Sequence, residues 1–353
     1  MKILEREISA ITYAANQTRT IQLPRNYAYR CVNLLLIADM YREAGATLGT
    51  GKDSAPAQLV KNIMIRANGR DVIKNIDMES LHRINQLAHG TRPVIDAPMW
   101  GGGAAIVVGA KVVQVVSARI DFEMWRSVRP IDTLLDSAGL ATLEMIITWG
   151  TGNDTMTSNY NPAGVGVTVV NAQLFVSSVE EVGVPEGTQF MMNKEYMIRS
   201  QVTATSNRHQ IQLPVGNLYR WLILKTHSVG LNVCSILPFT LALQNTITLQ
   251  AGTEVFKYRM AGCLNADNRL DYMTEVPELL ASAAALNHRL LENGLEGYYV
   301  LEFCKDGRLT ECLDTSRLSS LELILDVVLP AGSTDAFIDI YPCELIRPPV
   351  IAA

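Results

Sequence analysis

Ile21-Gln22-Leu23-Pro24, followed by Tyr29-Arg30, returns 190 residues later as Ile211-Gln212-Leu213-Pro214, followed by Tyr219-Arg220. Toward the N-terminus, Glu5, Ile8 and Ala14 answer at the same spacing to Glu195, Ile198 and Ala204. Toward the C-terminus the spacing shrinks. Asn62, Gly69, Val72 and Lys74 answer to Asn245, Gly252, Val255 and Lys257 at 183. Leu135-Asp136, Leu140, Leu143-Glu144 and Ile146 answer to Leu313-Asp314, Leu318, Leu321-Glu322 and Ile324 at 178, and Pro162-Ala163-Gly164 to Pro330-Ala331-Gly332 at 168. Collinear blocks with a steadily falling offset are what two copies of one domain give when loops have been deleted from one of them. The period is too long for a solenoid, whose units run to roughly 20–50 residues. The chain therefore divides into residues 1–185 and 186–353, each of ordinary domain size. Glu180–Asn193, interrupted by Gly and Pro, reads as the linker, with Glu180-Glu181 as solvated surface.

Most segments read as strands. Val32–Ile37 and Trp221–Leu224 are short apolar runs after the shared Tyr-Arg. Ile63 and Ile65, then Asn68-Gly69, then Val72 describe a hairpin, because Asn-Gly supplies the positive φ that a tight turn needs. Ala251-Gly252 holds the matching place, and Asp306-Gly307 predicts a further hairpin ahead of Leu309. Leu143–Trp149, Val165–Val176, Leu321–Val328 and Ala336–Tyr341 complete the strand list, and Ile106–Val116 reads as two buried strands. Helix signals are few. Asp77 caps a helix through Leu87 with Leu81, Ile84 and Leu87 on one face. Glu275–Leu291, stopped by Gly294, is the second candidate. Pro130–Leu140 and Leu309–Leu318 are short helices or turns leading into the shared Leu-Glu strand. The fold class is all-β: two tandem eight-stranded antiparallel jelly rolls with short helical insertions.

Composition bounds function. The 353 residues are 48% hydrophobic and 18% charged, with net charge −5 and no basic run, so phosphate-gripping contact with nucleic acid is not expected. No uncharged apolar stretch of about 18 residues predicts a membrane helix, and the acidic start Met1–Glu7 is not a signal peptide. Cys31, Cys234, Cys263, Cys304, Cys312 and Cys343 form no CxxC pair and read as reduced, mostly buried thiols. Gly49-Thr50-Gly51-Lys52-Asp53 lacks both the leading Gly and the Ser or Thr of a phosphate loop. Gly101-Gly102-Gly103 reads as a loop. His82, His89, His209, His227 and His288 contain no His-x-His pair and none recurs, so a paired-cupin metal site is not expected. Ser, Cys, His and Asp form no nucleophilic set. The expectation is no catalytic, cofactor or metal residue. The polar residues that do recur, Gln22/Gln212 and Tyr29-Arg30/Tyr219-Arg220, brace strands in this reading.

The duplication, the strand-rich halves and the helical insertion before the last strands resemble the double jelly-roll major capsid proteins of tailless icosahedral viruses, most of all those of bacteriophages with an internal membrane. The resemblance spans the chain but lies in architecture, so it carries over no functional residue. It implies a coat protein of the virion shell, made in the host cytoplasm, without cofactor or enzymatic activity. Three chains would form a pseudo-hexagonal capsomer, with penton or minor capsid proteins and the internal membrane as further partners. The short tail Ile346–Ala353 and the domain loops would supply membrane contacts. The alternative is a carbohydrate-active or sugar-binding double β-sandwich, which needs a cleft with converging carboxylates.

Overall fold

Alternation of apolar and polar residues makes the strands. Leu143–Trp149 and Leu321–Val327 bury every second side chain, as half-buried strands do. The computed structural model describes residues 2–42, 55–90, 93–96, 111–155, 166–185, 188–229, 245–272, 297–329 and 335–347. The first half contains β1 (Lys2–Thr12), β2 (Thr18–Gln22), β3 (Ala28–Arg42), β4 (Val60–Ala67), β5 (Asp71–Ile76), α1 (Met78–His89), β6 (Ile95–Asp96), β7 (Val112–Asp121), β8 (Leu135–Asp136), β9 (Leu143–Trp149) and β10 (Val167–Val182). The second half contains β11 (Met192–Tyr196), β12 (Ile198–Val202), β13 (Ser206–Leu213), β14 (Leu218–Val229), β15 (Thr246–Ala251), β16 (Glu254–Met260), α2 (Ala261–Tyr272), β17 (Tyr298–Glu302), β18 (Leu313–Asp314), β19 (Leu321–Val327) and β20 (Asp335–Ile346).

Strand order is the same in both halves. In the first roll β1-β10-β3-β7 faces β2-β9-β4-β5; in the second, β11 and β12 with β20-β14-β17 face β13-β19-β15-β16. These are two jelly rolls, antiparallel throughout each sandwich. β1 belongs to the first roll from Lys2, paired along β10. The shared polar residues brace strands identically. Gln22 donates to Glu144 Oε1 and Gln212 to Glu322 Oε1, both at 2.9 Å. Tyr29 Oη donates to the Pro24 carbonyl at 2.6 Å, and Tyr219 Oη to that of Pro214 at 2.7 Å.

One match escaped sequence reading. Asn85 of α1 clamps the backbone of Arg119 on β7, donating at 2.7 Å and accepting at 2.6 Å. Asn268 of α2 clamps Val300 on β17 in the same way, at 3.1 and 2.8 Å. Each helix is thus pinned to the equivalent strand of its own roll, α1 to β7 and α2 to β17.

Several expectations need correction. The expected β4–β5 hairpin does turn at Asn68-Gly69, at φ 53° and 72°, through a loop of three residues. The β15–β16 loop has two, Gly252-Thr253, so Ala251 stays in its strand and matches Ala67. For the same reason the register partner of Asn62 is Thr246 and not Asn245. Asp306-Gly307 makes a turn, with Gly307 at φ 73°, but a 3-10 turn at Leu309–Glu311 follows it and not a strand. β7 is not buried on both faces, since Val113 lies 51% exposed beside buried Val116. β10 runs on to Val182, so Glu180 and Glu181 are buried strand residues and not linker. Their charges are met by Arg6, 2.5 Å from Glu180, and by Arg30, 3.5 Å from Glu181. The second helix is α2, which was not anticipated. Expectations for 49–53, 101–103, 106–108, 162–164, 275–291, 330–332 and 348–353 lie outside the described residues.

Tyr29→Phe, which loses the bond to the Pro24 carbonyl, and Tyr219→Phe, which loses the bond to the Pro214 carbonyl and a longer one of 3.4 Å to Glu344, should each lower stability by about 1 kcal/mol. The two sites share no partner, so urea unfolding of the double variant should show the sum.

Candidate functional site

The second roll's outer face is where the molecule concentrates buried charge. Trp221, Ile223, Tyr298, Val300, Tyr341 and Cys343 lie on the face of β14, β17 and β20 opposite that roll's own core. They join the hydrophobic core of the first roll instead. The element laid on them is α1. Asp77 caps it, accepting from the Ser80 amide at 2.8 Å, and Gly90 ends it at φ 73°. Every residue from Met78 to Ala88 is buried, including Glu79, Arg83 and Gln86. An amphipathic helix would ordinarily leave its polar face to water; here that face is the joint.

At its centre Lys225 donates to Glu79 and, at 3.1 Å, to Ser80 Oγ. Tyr298 donates to Glu79 at 2.9 Å, Tyr341 donates to Asp77 at 2.9 Å, and the Tyr341 and Ser80 hydroxyls meet at 2.6 Å. Burial would drive the Lys225 ammonium down, but the Glu79 and Asp77 carboxylates outweigh it and hold the group well above its ordinary value. Burial raises Tyr298 and Tyr341, and the nearby carboxylates of Glu79 and Asp77 reinforce it. For Asp77 the Lys225 charge and the Ser80 hydrogen bonds overcome burial and lower it.

A second contact continues the joint. β5 pairs with β11 in parallel over Glu195–Lys74 and Tyr196–Asn75, which fuses a sheet of the first roll to a sheet of the second. Lys74 and Glu195, both buried, form an ion pair at 2.7 Å across that seam. The Lys74 ammonium also lies 5.7 Å from the Phe122 ring centroid. Beyond the seam, Arg220 donates to the Trp125 carbonyl at 2.5 Å, and the Val128 amide to that of Gly307 at 3.1 Å.

The sequence-nominated groups are dispersed. His82 meets the Ser117 carbonyl at 2.8 Å, His89 meets Asp121 at 2.9 Å, and His209 meets Ser200 at 2.8 Å. The His227 side chain and His288 lie outside the described residues. Among the described residues no group of three or more His, Cys, Asp or Glu is placed to hold a metal ion, and no helix is long and apolar enough to cross a membrane. Cys31, Cys304, Cys312 and Cys343 are buried free thiols and Cys263 is an exposed one; burial pushes Cys31 up to about 12. A groove of about 570 Å³ opens on the outer face of the β1-β10-β3-β7 sheet, lined by Glu7, Leu35, His89, Trp125 and Phe175 among others. The joint residues Glu79 and Lys225 were not found by sequence, because neither recurs; only Glu195 and Lys74 carried a signal, as charged residues kept in both repeats.

No family model matches the chain, and no curated protein matches it. Solved structures do match. The crystal structure of the STIV MCP superposes with TM-score 0.68 at 14% identity, over 99% of this chain and 98% of that one. A chain from the atomic structure of Sulfolobus Turreted Icosahedral Virus gives 0.71 at 13% identity, over 99% and 92%. The major capsid protein P2 from bacteriophage PM2 gives 0.57 at 13% identity, over 98% of each. What is shared at these identities is the fold, two jelly rolls in tandem along the entire chain.

Lys225→Met should lower stability by about 3–5 kcal/mol, since it strands two carboxylates in a buried joint, and Glu79→Gln added to it should recover part of the loss. Lys225, Tyr298 and Tyr341 all have raised values in the folded chain. Their contribution is therefore complete below the unfolded values of 10.0 to 10.5 and is lost as pH rises through the folded ones. Denaturant midpoints measured from pH 8 to 12 should fall above about pH 10 in the wild type, and less steeply in Lys225→Met.

Proposed function

We propose that this protein is the major coat subunit of an icosahedral virion shell and acts by self-assembly, with no catalytic role. One observation carries the reading: a full-length double jelly roll, like those of the STIV MCP and of P2 from bacteriophage PM2, whose two rolls join head to tail. The outer face and β11 edge of one roll meet the β5 edge and α1 of the other. A head-to-tail joint leaves its two halves unused at opposite ends of the pair, and repetition closes a ring when the rotation allows. Three chains, contributing six similar wedges, give such a ring, a pseudo-hexagonal capsomer. The rolls of this reading are residues 1–185 and 186–353. Six-wedge rings do not fill the five-fold vertices of an icosahedron, so penton or minor capsid proteins are required partners. An internal membrane is the expected surface beneath the shell. The net charge of −5 fits a coat that does not itself grip the genome's phosphates.

Purified protein should elute as a species of three times 38.8 kDa by size-exclusion chromatography with light scattering, and hexagonal particles should appear in electron micrographs. A chain that stays monomeric at all concentrations would overturn this reading.

A further inference from the structure

The two rolls are alike, but their outer surfaces are covered unequally. β5 is largely buried at the seam, whereas β16, its counterpart, leaves Val255, Tyr258 and Met260 51%, 64% and 40% exposed. The counterparts of Ser80, Arg83 and Leu87, all buried on α1, are Cys263, Ala266 and Leu270 on α2; these are exposed, Leu270 at 85%. On the other side of the joint, Asn193 of β11 is 2% exposed and its counterpart Ile3 of β1 is 57% exposed. Each half of the internal joint thus recurs once, uncovered, at the opposite end of the molecule.

The register makes the equivalence exact to the residue. Lys74 faces Ile65 and Lys257 faces Leu249, each just before the same bulge. Glu195 faces Cys343 on β20 and Glu5 faces Val179 on β10, with Cys343 opposite Trp221 and Val179 opposite Cys31. Lys257 lies 5.5 Å from the Phe303 ring centroid, as Lys74 lies 5.7 Å from that of Phe122. What Lys257 lacks, among the described residues, is an ion pair with a carboxylate, and Glu5 lacks one with a cation. Burial, with Lys305 and Arg259 close by, pushes Lys257 below its ordinary value against the opposing charge of Glu302.

The charged pin at the joint's centre is lost from both sides together. The counterparts of Lys225 and Glu79 are Leu35 and Gly262, so the bare surfaces carry no charge there that would need a buried partner. The groove beside Leu35 lies on the face that, in the second roll, receives α1.

We propose that a second copy of this chain seats its β16 edge and α2 on β1 and the outer β1-β10-β3-β7 face of the first, with Lys257 of one subunit paired to Glu5 of the next as Lys74 is paired to Glu195 within the chain. This rests on the ring reading above and specifies its seam.

Cysteine pairs and charge reversal test it on the full-length protein. Glu195 and Lys74 are backbone partners, a spacing that a disulfide spans. Glu5→Cys with Lys257→Cys, in a Cys263→Ser background and oxidised with diamide, should give covalent trimers on a non-reducing gel; a mixture of the two single-cysteine variants should give covalent dimers only. Lys257→Glu should raise the concentration at which trimers dissociate at least tenfold, and adding Glu5→Lys should restore it. If trimers persist in light scattering while no cross-link forms and Lys257→Glu assembles as tightly as the wild type, the seam is wrong and the ring reading stands. If the wild type never associates, both fall. Thermal melts of each variant, taken below the concentration at which trimers form and expected there to match the wild type because both positions lie at the uncovered ends, separate a seam effect from misfolding.

Discussion

A β-sandwich normally buries one face of each sheet, yet the sheet built on β14, β17 and β20 buries both. Its inner side packs in the second roll's own core and its outer side in the first roll's. The rest of the molecule depends on that second burial. It explains why Trp221-Leu222-Ile223-Leu224 is apolar without a break, whereas the matching stretch of β3 has the partly exposed Asn33 where Ile223 stands and alternates buried with more exposed residues from there to Met40. It explains why α1 is buried from Met78 to Ala88. It also explains why Lys225 and Glu79 are tolerated out of water, with partly buried Asp77 beside them: each is paired and hydrogen-bonded, the condition under which buried charge survives.

Much of this was legible in the sequence, because duplication writes each structural requirement twice. The bracing role of Gln22 and Tyr29 showed in their recurrence, though not their partners Glu144 and Pro24, while the β4–β5 turn and the Asp77 cap rest on local chemistry that a single chain displays. What stayed hidden has physical reasons. α2 presents Asn265 and Asn268 where an apolar stripe would be expected, since those amides serve the backbone of β17. Glu180-Glu181 looked like solvated surface because Arg6 and Arg30, which neutralise them, lie some 150 residues or more away in sequence.

The joint itself was illegible for a further reason. Recurrence was the guide, and recurrence detects what the two rolls share. Glu79 and Lys225 belong to the place where the rolls differ. Lys74/Lys257 and Glu5/Glu195 stood between these cases: visible as matches, but without meaning until the β5–β11 pairing showed that a lysine of one roll needs a glutamate of the other.

The placement of the charged pin bears on how a shell can correct its errors. A buried lysine abandoned by its carboxylate costs several kcal/mol, so a joint that depends on one tolerates little detachment. Within a chain, the short connection between β10 and β11 keeps the partner at high effective concentration, and detachment is brief. At the uncovered ends, where Leu35 and Gly262 replace the pin, a subunit can leave without stranding a buried charge. In the proposed ring, the strong irreversible joint and the weak reversible one are thus segregated by covalent tethering, and misplaced subunits can dissociate and try again while each remains folded.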